Sequence, residues 1–136
     1  MKKVDISKFE NSWYKPAGKL KIIVWYFVNM FVFKTMFPFP SGLKAKILRA
    51  FGAKVGSGVV IKPNVSIKYP WFLSIGRNSW IGEDVWIDNL ARVTIGSNVC
   101  LSQDCYLLTE SHDYKKEAFD LILGEIVLED GVCTTR

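Results

Sequence analysis

The sequence predicts a mainly β chain wound into a parallel β-helix and preceded by two N-terminal α-helices. Three observations support this fold class. Residues 1–52 are basic and show helical spacing, the apolar spacing changes directly after Gly52, and small apolar residues then recur at every sixth position. We therefore predict one folding unit with two parts, a basic helical segment over 1–52 and a β-helix over 53–136.

The composition is that of a globular protein with an unevenly distributed charge. Apolar residues make up 49% and aromatic residues 14% of the 136 positions, which excludes a disordered chain. Residues 1–54 carry eleven Lys or Arg and two acids, whereas residues 55–136 carry seven and eleven. This segregation indicates an anionic partner for the N-terminal part. Lipid headgroups fit better than nucleic acid, because no motif of interleaved aromatic and basic residues occurs.

The first helix is predicted over 16–37, with Pro16 in its first turn. Its middle, 22–33, is apolar on every face except at Asn29. A helix that is apolar all round is buried either in protein or in lipid. Three alternatives therefore stay open: a membrane span, peripheral association with a membrane interface, and packing on its own domain or on a partner subunit.

The second helix is predicted to begin after Ser41 as N-cap and to stop at Gly52. We expect it to cover one end of the following domain with its apolar side, while its basic side faces water. The residues of the apolar side are Leu43, Ile47, Leu48 and Phe51, and those of the basic side are Lys44, Lys46 and Arg49.

The step of six is the main signal for the β-helix. Such a period fits neither an α-helix nor alternating strands of a sandwich, but it fits a coil with flat faces whose inward aliphatic side chains stack in columns. Gly and Asn at the corners are expected to supply positive φ angles. The register runs Ile75, Ile81, Ile87, Val93, Val99, Cys105; the same step, two residues out of phase, runs Val55, Ile61, Ile67, Leu73; the expected corners are Gly76, Asn78, Gly82, Gly96 and Asn98.

The hexads at 75–80 (IGRNSW) and 81–86 (IGEDVW), the segment 93–99 (VTIGSNV) and the segment 111–114 (SHDY) resemble the hexapeptide-repeat acyltransferases. More narrowly, they resemble the colanic acid biosynthesis acetyltransferases, which the stretch 51–56 and the turn 69–71 also fit. The resemblance extends from about Trp13 to Val132. It implies a left-handed coil, a homotrimer, acetyl-CoA as co-substrate, and a sugar or oligosaccharide acceptor. The three cysteines, an odd number without CxxC spacing, favour free thiols in a reducing cytoplasm.

His112 is the only histidine, in a segment where the aliphatic register lapses and the chain is expected to leave the coil as a loop. From spacing alone it could be an incidental surface residue. The resemblance implies that it is the catalytic base, and imidazole suits that role because it titrates near neutral pH. Glu110 or Asp113 could orient the ring, or both could be solvated acids. A single histidine argues against a metal site, so no metal is expected.

Asp88 and Asn89 interrupt the hexads at a corner, and the resemblance places acceptor-sugar contacts in roughly this region. A structural turn role for the asparagine is the alternative. Cys105 lies in the inward register, which favours a core thiol over a nucleophile. Three tryptophans could stack on sugar, but covering a face of the coil or a subunit contact is more typical of such residues; they are Trp71, Trp80 and Trp86.

After a segment like 129–132, members of the resembled family continue with further coils that form much of the acetyl-CoA groove. Here Thr134 stands where an inward aliphatic residue is expected, and the sequence ends at Arg136. We therefore expect a chain shortened at its C-terminal end, and the sequence does not identify which residues bind acetyl-CoA. The alternative function is a catalytically inactive β-helix that acts as a scaffold or as a subunit mixing into trimers.

Overall fold

The computed structural model describes Ser7 and residues 14–112 and 121–134. Helix α1 spans Lys19–Val28 and continues into a π-helical turn over Asn29–Phe33; helix α2 spans Ser41–Ala50, and a 3₁₀ turn spans Pro70–Phe72. The strands are β1 Lys54–Val55, β2 Val60–Ile61, β3 Ser66–Ile67, β4 Leu73–Ile75, β5 Trp80–Ile81, β6 Trp86–Asp88, β7 Val93–Ile95, β8 Cys100–Leu101, β9 Tyr106–Leu108, β10 Glu110–His112, β11 Leu121–Leu123 and β12 Ile126–Leu128.

Parallel sheets form the flat faces of a coil. Face A contains β1, β4, β7 and β12, face B contains β2, β5 and β8, and face C contains β3, β6 and β9. Each early strand pairs with the strand that lies one full turn of the coil later, so that Ile61 lies beside Ile81 on face B and Ile67 beside Ile87 on face C. The predicted mainly β, parallel coil is therefore confirmed.

The repeat of the coil is one full turn around the three faces, with steps of six, six and eight. The longer step arises on face A, where Leu73 and Ile75 both lie on β4 and are both buried. Val93 and Ile95 repeat this arrangement on β7. The predicted register from Ile87 to Val93 consequently passes from one inward column to the other, which explains the shift of two residues seen in the sequence.

The corners use Asn and Gly for different purposes. Asn78 and Asn98 have φ angles of 60° and 56°, as expected for turn positions. The prediction of positive φ angles is wrong for Gly76, Gly82 and Gly96, because none of these three glycines has a positive φ. They are small because the coils stack closely: a Cβ atom at Gly76 would lie 2.4 Å from a backbone nitrogen of the next coil.

The helices cover the open backbone edge of the first coil. On face C, the Trp25 indole N–H donates to the Ile67 carbonyl at 2.9 Å, and the Asn29 side-chain oxygen accepts from the Ile67 N–H at 3.2 Å. On face A, Arg49 Nε donates to the Val55 carbonyl at 3.0 Å. An edge strand needs such partners because its backbone groups otherwise remain unpaired.

Helix α2 is oriented differently from the prediction because it, too, covers the backbone edge of the first coil. Ser41 begins the helix rather than capping it, and its Oγ accepts from the Ile61 N–H at 3.0 Å. Lys44, predicted to face water, is fully buried and donates from Nζ to the carbonyls of Ile61 and Lys62 at 3.3 and 3.2 Å. Leu43, predicted on the packed side, is 43% exposed. We expected an apolar contact at this interface, but the carbonyls at the edge of face B accept hydrogen bonds from the Lys44 ammonium group.

Helix α1 and its π-helical turn are shorter than predicted. Helical residues begin at Lys19, after Pro16, and end at Phe33 instead of Phe37. A π-helical turn closes the helix, with the Lys34 N–H bonded to the Asn29 carbonyl at 2.7 Å. One side of the helix packs on the coil, so packing on its own domain is observed. Within the described residues, the helices are too short or too polar to cross a bilayer.

Candidate active site

The candidate site lies at the corner between faces C and A, where the predicted residues Asp88 and Asn89 follow one another. Asp88 ends β6 and lies beside Leu108 of β9, which is the equivalent position one coil later. The chain turns through 89–92 in the first of these coils. In the next coil it leaves the stack at the same corner, directly after Thr109.

Asn89 is fully buried and bonded to the corner of the preceding coil. Its Nδ2 donates to the Tyr69 carbonyl at 2.7 Å, and its Oδ1 accepts from the Tyr69 N–H at 2.9 Å. These contacts favour the structural turn role over direct contact with a substrate. Asn89 therefore holds two successive corners together and fixes the backbone that carries Asp88.

Thr109 is the residue that sequence reasoning missed. It is buried, and its hydroxyl donates to the Asp88 carbonyl at 3.0 Å while accepting from the Ala91 N–H at 3.0 Å. Its own carbonyl accepts from the Gly124 N–H at 2.8 Å, where the chain returns to the coil. Aligning whole turns of the coil instead of single hexads would have found it, because Thr109 occupies the position of Asn89 one coil later.

The predicted loop is a two-stranded antiparallel ribbon in the described residues. Strand β10 carries Glu110 and His112, which lie beside Leu123 and Leu121 of β11. The chain then rejoins the coil, and β12 pairs in parallel with β7 on face A. The histidine backbone is thus held two residues beyond Glu110, just outside the coil. Asp113, the other predicted site residue of this segment, lies outside the described residues.

Two predicted carboxylates share this corner with three tyrosines. Burial raises the pKa of the Tyr14 hydroxyl, and the charges of Glu110 and Asp88 raise it further. The pKa of Tyr69 is raised by burial and then by the same two carboxylates. The pKa of Tyr106 is raised in the same way, first by partial burial. The structure therefore brings Asp88 and Glu110 into one acidic region.

Tyr14 ties the segment before α1 to this corner, because its hydroxyl donates to the Leu90 carbonyl. Beside the corner on face C, the rings of Trp86 and Tyr106 are 4.7 Å apart and each is about half exposed. Trp71 instead stacks on Tyr69 at 5.1 Å. An exposed aromatic pair next to acidic groups is a surface on which a sugar ring can stack and form hydrogen bonds.

The cysteines lie away from the histidine strand. Cys105 is half-buried in the inward row, as expected for a packing residue. Cys100 on face B lies beside Cys133, which rejoins that face from the C-terminal segment. Burial raises the pKa of the Cys100 thiol, and a hydrogen bond with Cys133 adds to the effect. Cys100 is thereby kept in the thiol form, which is a poor nucleophile. Among the described residues, no group of three potential metal ligands is found.

The resemblance predicted from the hexads is confirmed as a sequence similarity over most of the chain. Over 115 residues the chain is 36% identical to the "Putative colanic acid biosynthesis acetyltransferase WcaF" of Escherichia coli (strain K12) and equally to the protein of that name in Shigella flexneri. The similarity covers 85% of this chain and 63% of each relative, so the chain spans less than two thirds of their length. No protein-family model matches the chain, and no solved structure matches it.

Proposed function

We propose that the chain is an O-acetyltransferase that moves an acetyl group from acetyl-CoA to a hydroxyl of a sugar or oligosaccharide in polysaccharide biosynthesis. The observation that carries the proposal is the ribbon at the corner between faces C and A. The only histidine of the sequence lies on it, on the same strand as Glu110, in a chain similar to proteins named acetyltransferases. The proposal includes a left-handed coil, a homotrimer, a cytoplasmic location, and the division into 1–52 and 53–136.

In the proposed reaction, His112 removes the proton from the acceptor hydroxyl as its oxygen attacks the thioester carbon of acetyl-CoA. A backbone N–H stabilises the oxyanion of the tetrahedral intermediate. The carbon–sulfur bond then breaks, and the departing thiolate of CoA takes the proton from the imidazolium. Both substrates are bound at once, so the enzyme supplies proximity as well as a base.

The acidic groups of the corner have separate roles in this scheme. Asp88 accepts hydrogen bonds from hydroxyls of the acceptor sugar, which a carboxylate does well because it has several acceptor positions. Glu110 or Asp113 orients the imidazole and holds the required tautomer. Asn89 acts through its bonds to Tyr69 and positions the backbone of Asp88. In the homotrimer, the ribbon of one subunit lies beside its neighbour.

The test measures acetyl transfer from acetyl-CoA to a panel of monosaccharides and oligosaccharides, with the acetylated sugar detected by mass spectrometry. His112→Ala is expected to lower the transfer rate by about 100-fold or more, the usual contribution of a general base. Glu129→Gln is the matched control, because Glu129 is exposed at a different corner of the coil. An unchanged rate in His112→Ala would remove the assigned base.

A separate calorimetric titration of acetyl-CoA into the chain tests the donor. If the chain is a transferase, we expect saturable binding of acetyl-CoA. We expect His112→Ala to leave this binding largely intact, since the base acts on the acceptor. No heat at millimolar acetyl-CoA would favour the non-catalytic scaffold instead.

A further inference from the structure

One side of α1 and its π-helical turn is apolar and uncovered. The inward side contains the fully buried Trp25 and Phe33, which pack into the core. The outward side is equally apolar, although its residues face solvent. Its exposed fractions are 76% for Leu20, 53% for Ile23, 42% for Val24, 62% for Tyr26, 49% for Phe27, 36% for Met30 and 66% for Phe31. We call these residues the outer helix face.

The outer helix face continues into the segment that follows the helix, where Met36 and Phe37 are 66% and 60% exposed. A contiguous apolar surface of this kind is rare on a monomeric soluble protein and marks a site of contact with another apolar phase. Asn29 lies on the inner side of the helix, where it bonds to the edge of β3, so it does not interrupt the outer helix face.

The surroundings of the outer helix face are cationic. From residue 11 to residue 82 the sequence contains eleven Lys or Arg and no Asp or Glu. Lys19 and Lys34 flank the helix and are exposed. Lys34 and Lys68 also line a cavity of about 160 Å³ between the helix and face C, together with Tyr26 of the outer helix face. Positive charge thus borders the apolar surface at both ends and along one side.

This combination selects one occupant. If the outer helix face packed on the same face of a second copy, the bordering lysines of the two copies would lie close together and repel each other. An anionic bilayer offers both an apolar interior for the outer helix face and phosphate groups for the lysines. The helix is too short to cross a bilayer, so it lies along the surface.

We propose that the outer helix face binds the surface of an anionic phospholipid bilayer, with the bordering lysines in contact with lipid phosphates. Tyr69 lines the same cavity as Lys34 and Lys68 and also lies close to Asp88 and Glu110. Binding in this orientation keeps the corner of the candidate site next to the lipid headgroups. The binding itself rests on the helix surface and is independent of acetyl transfer.

The experiment is co-sedimentation of the full chain with vesicles of phosphatidylcholine alone or of phosphatidylcholine with phosphatidylglycerol. We expect binding to the anionic vesicles, weakened by added salt because exposed charges are screened. The variant Phe27→Gln with Phe31→Gln is expected to lower the partition coefficient about ten-fold or more. Lys19→Gln and Lys34→Gln are each expected to lower it about five-fold.

The control is Val127→Gln, which removes an apolar side chain that is 65% exposed on β12 of face A, away from α1 and from the candidate site. This control is expected to bind like the parent chain. Circular dichroism of each variant establishes that the coil is intact, so a loss of binding is not a loss of fold.

Three results would overturn the proposal. The first is failure of the parent chain to bind anionic vesicles. The second is equal binding by the two-phenylalanine variant. The third is a change from multimer to monomer in that variant in analytical ultracentrifugation, with vesicle binding unaltered, which would make the outer helix face an interface between copies. None of these readouts depends on catalysis, so they separate this proposal from the proposed function.

Discussion

The bonds between Asn89 and Tyr69 allow a quantitative prediction about the corner. In Asn89→Ala, both bonds, at 2.7 and 2.9 Å, are lost. The Tyr69 carbonyl keeps a second partner, the Phe72 N–H at 3.1 Å, but no described residue other than Asn89 accepts a hydrogen bond from the Tyr69 N–H. One lost hydrogen bond contributes about 1 kcal/mol and a buried unpaired donor about 2 kcal/mol, so we expect a loss of about 3 kcal/mol in the free energy of unfolding.

Asn89→Asp sharpens the prediction. The aspartate keeps an acceptor for the Tyr69 N–H but places a second oxygen against the Tyr69 carbonyl, and burial disfavours the charged carboxylate. Its pKa is therefore expected to rise above the unfolded value of about 3.9. The stability lost in this variant should be largest near neutral pH. It should be recovered as the pH falls towards about 4, because the protonated acid again donates to the carbonyl.

Urea unfolding followed by tryptophan fluorescence measures both effects. With a urea dependence of about 1–3 kcal/mol per molar, a loss of about 3 kcal/mol lowers the midpoint by roughly 1–3 M. Asn98→Gly is the control, because it keeps an exposed corner residue able to adopt the observed φ of 56°. A loss below about 0.5 kcal/mol in Asn89→Ala, within the range of ordinary surface substitutions, would refute the structural role of this side chain.

Two further predictions concern the helix that covers the first coil and the close stacking of successive coils. Burial lowers the pKa of Lys44 from its ordinary value of 10.5. Between the folded and unfolded pKa values the unfolded chain therefore binds more protons than the folded chain, so the free energy of unfolding increases as the pH rises towards 10.5. Lys44→Met should remove this pH-dependent increase. Urea unfolding of the parent chain and of the variant from about pH 7 upward measures the difference. Parallel curves of stability against pH would contradict the prediction. Gly76→Ala should cost about 2–3 kcal/mol, since its Cβ would meet backbone at 2.4 Å. Gly42→Ala, with open space around it in α2, should instead stabilise by about 0.5 kcal/mol in thermal unfolding; equal shifts for the two would refute the steric argument.

The coil could be predicted because its core selects side chains by position. Inward residues such as Ile61, Ile81 and Ile87 are buried in one apolar core, so their spacing in the sequence follows the geometry of the coil directly. The longer step on face A was missed because β4 and β7 each place two residues inward, and either one continues a step of six. Spacing alone does not distinguish the two columns.

The packing of α2 could not be predicted from amphipathicity. That reasoning assumes that the covered surface is apolar, whereas the edge of the first coil presents backbone carbonyls and N–H groups. Lys44 and Ser41 supply partners for those groups, which reverses the expected orientation of the lysine. Polar residues on the packed side of a helix are therefore the signature of a helix that covers a sheet edge.

The corner of the candidate site was only partly predictable. The interruption at Asp88 and the lone histidine indicated two segments that the structure brings to the same corner. The antiparallel pairing of Ser111 with Ile122 was not evident, because it joins two segments without a shared repeat. The role of Thr109 depends on the stacking of whole turns of the coil, which the step of six conceals.

The return of β12 to β7 makes this corner an interchangeable module. Val93 pairs with Leu73 in the coil before it and with Ile126 in the coil after it, so the turn that carries the ribbon is longer than its predecessor by less than a factor of two. Closing the longer excursion adds less than about 0.6 kcal/mol of chain entropy, because that is the increment for a doubling in length. Ribbons of other lengths and sequences could therefore be grafted between Thr109 and Gly124 with the coil beneath them unchanged.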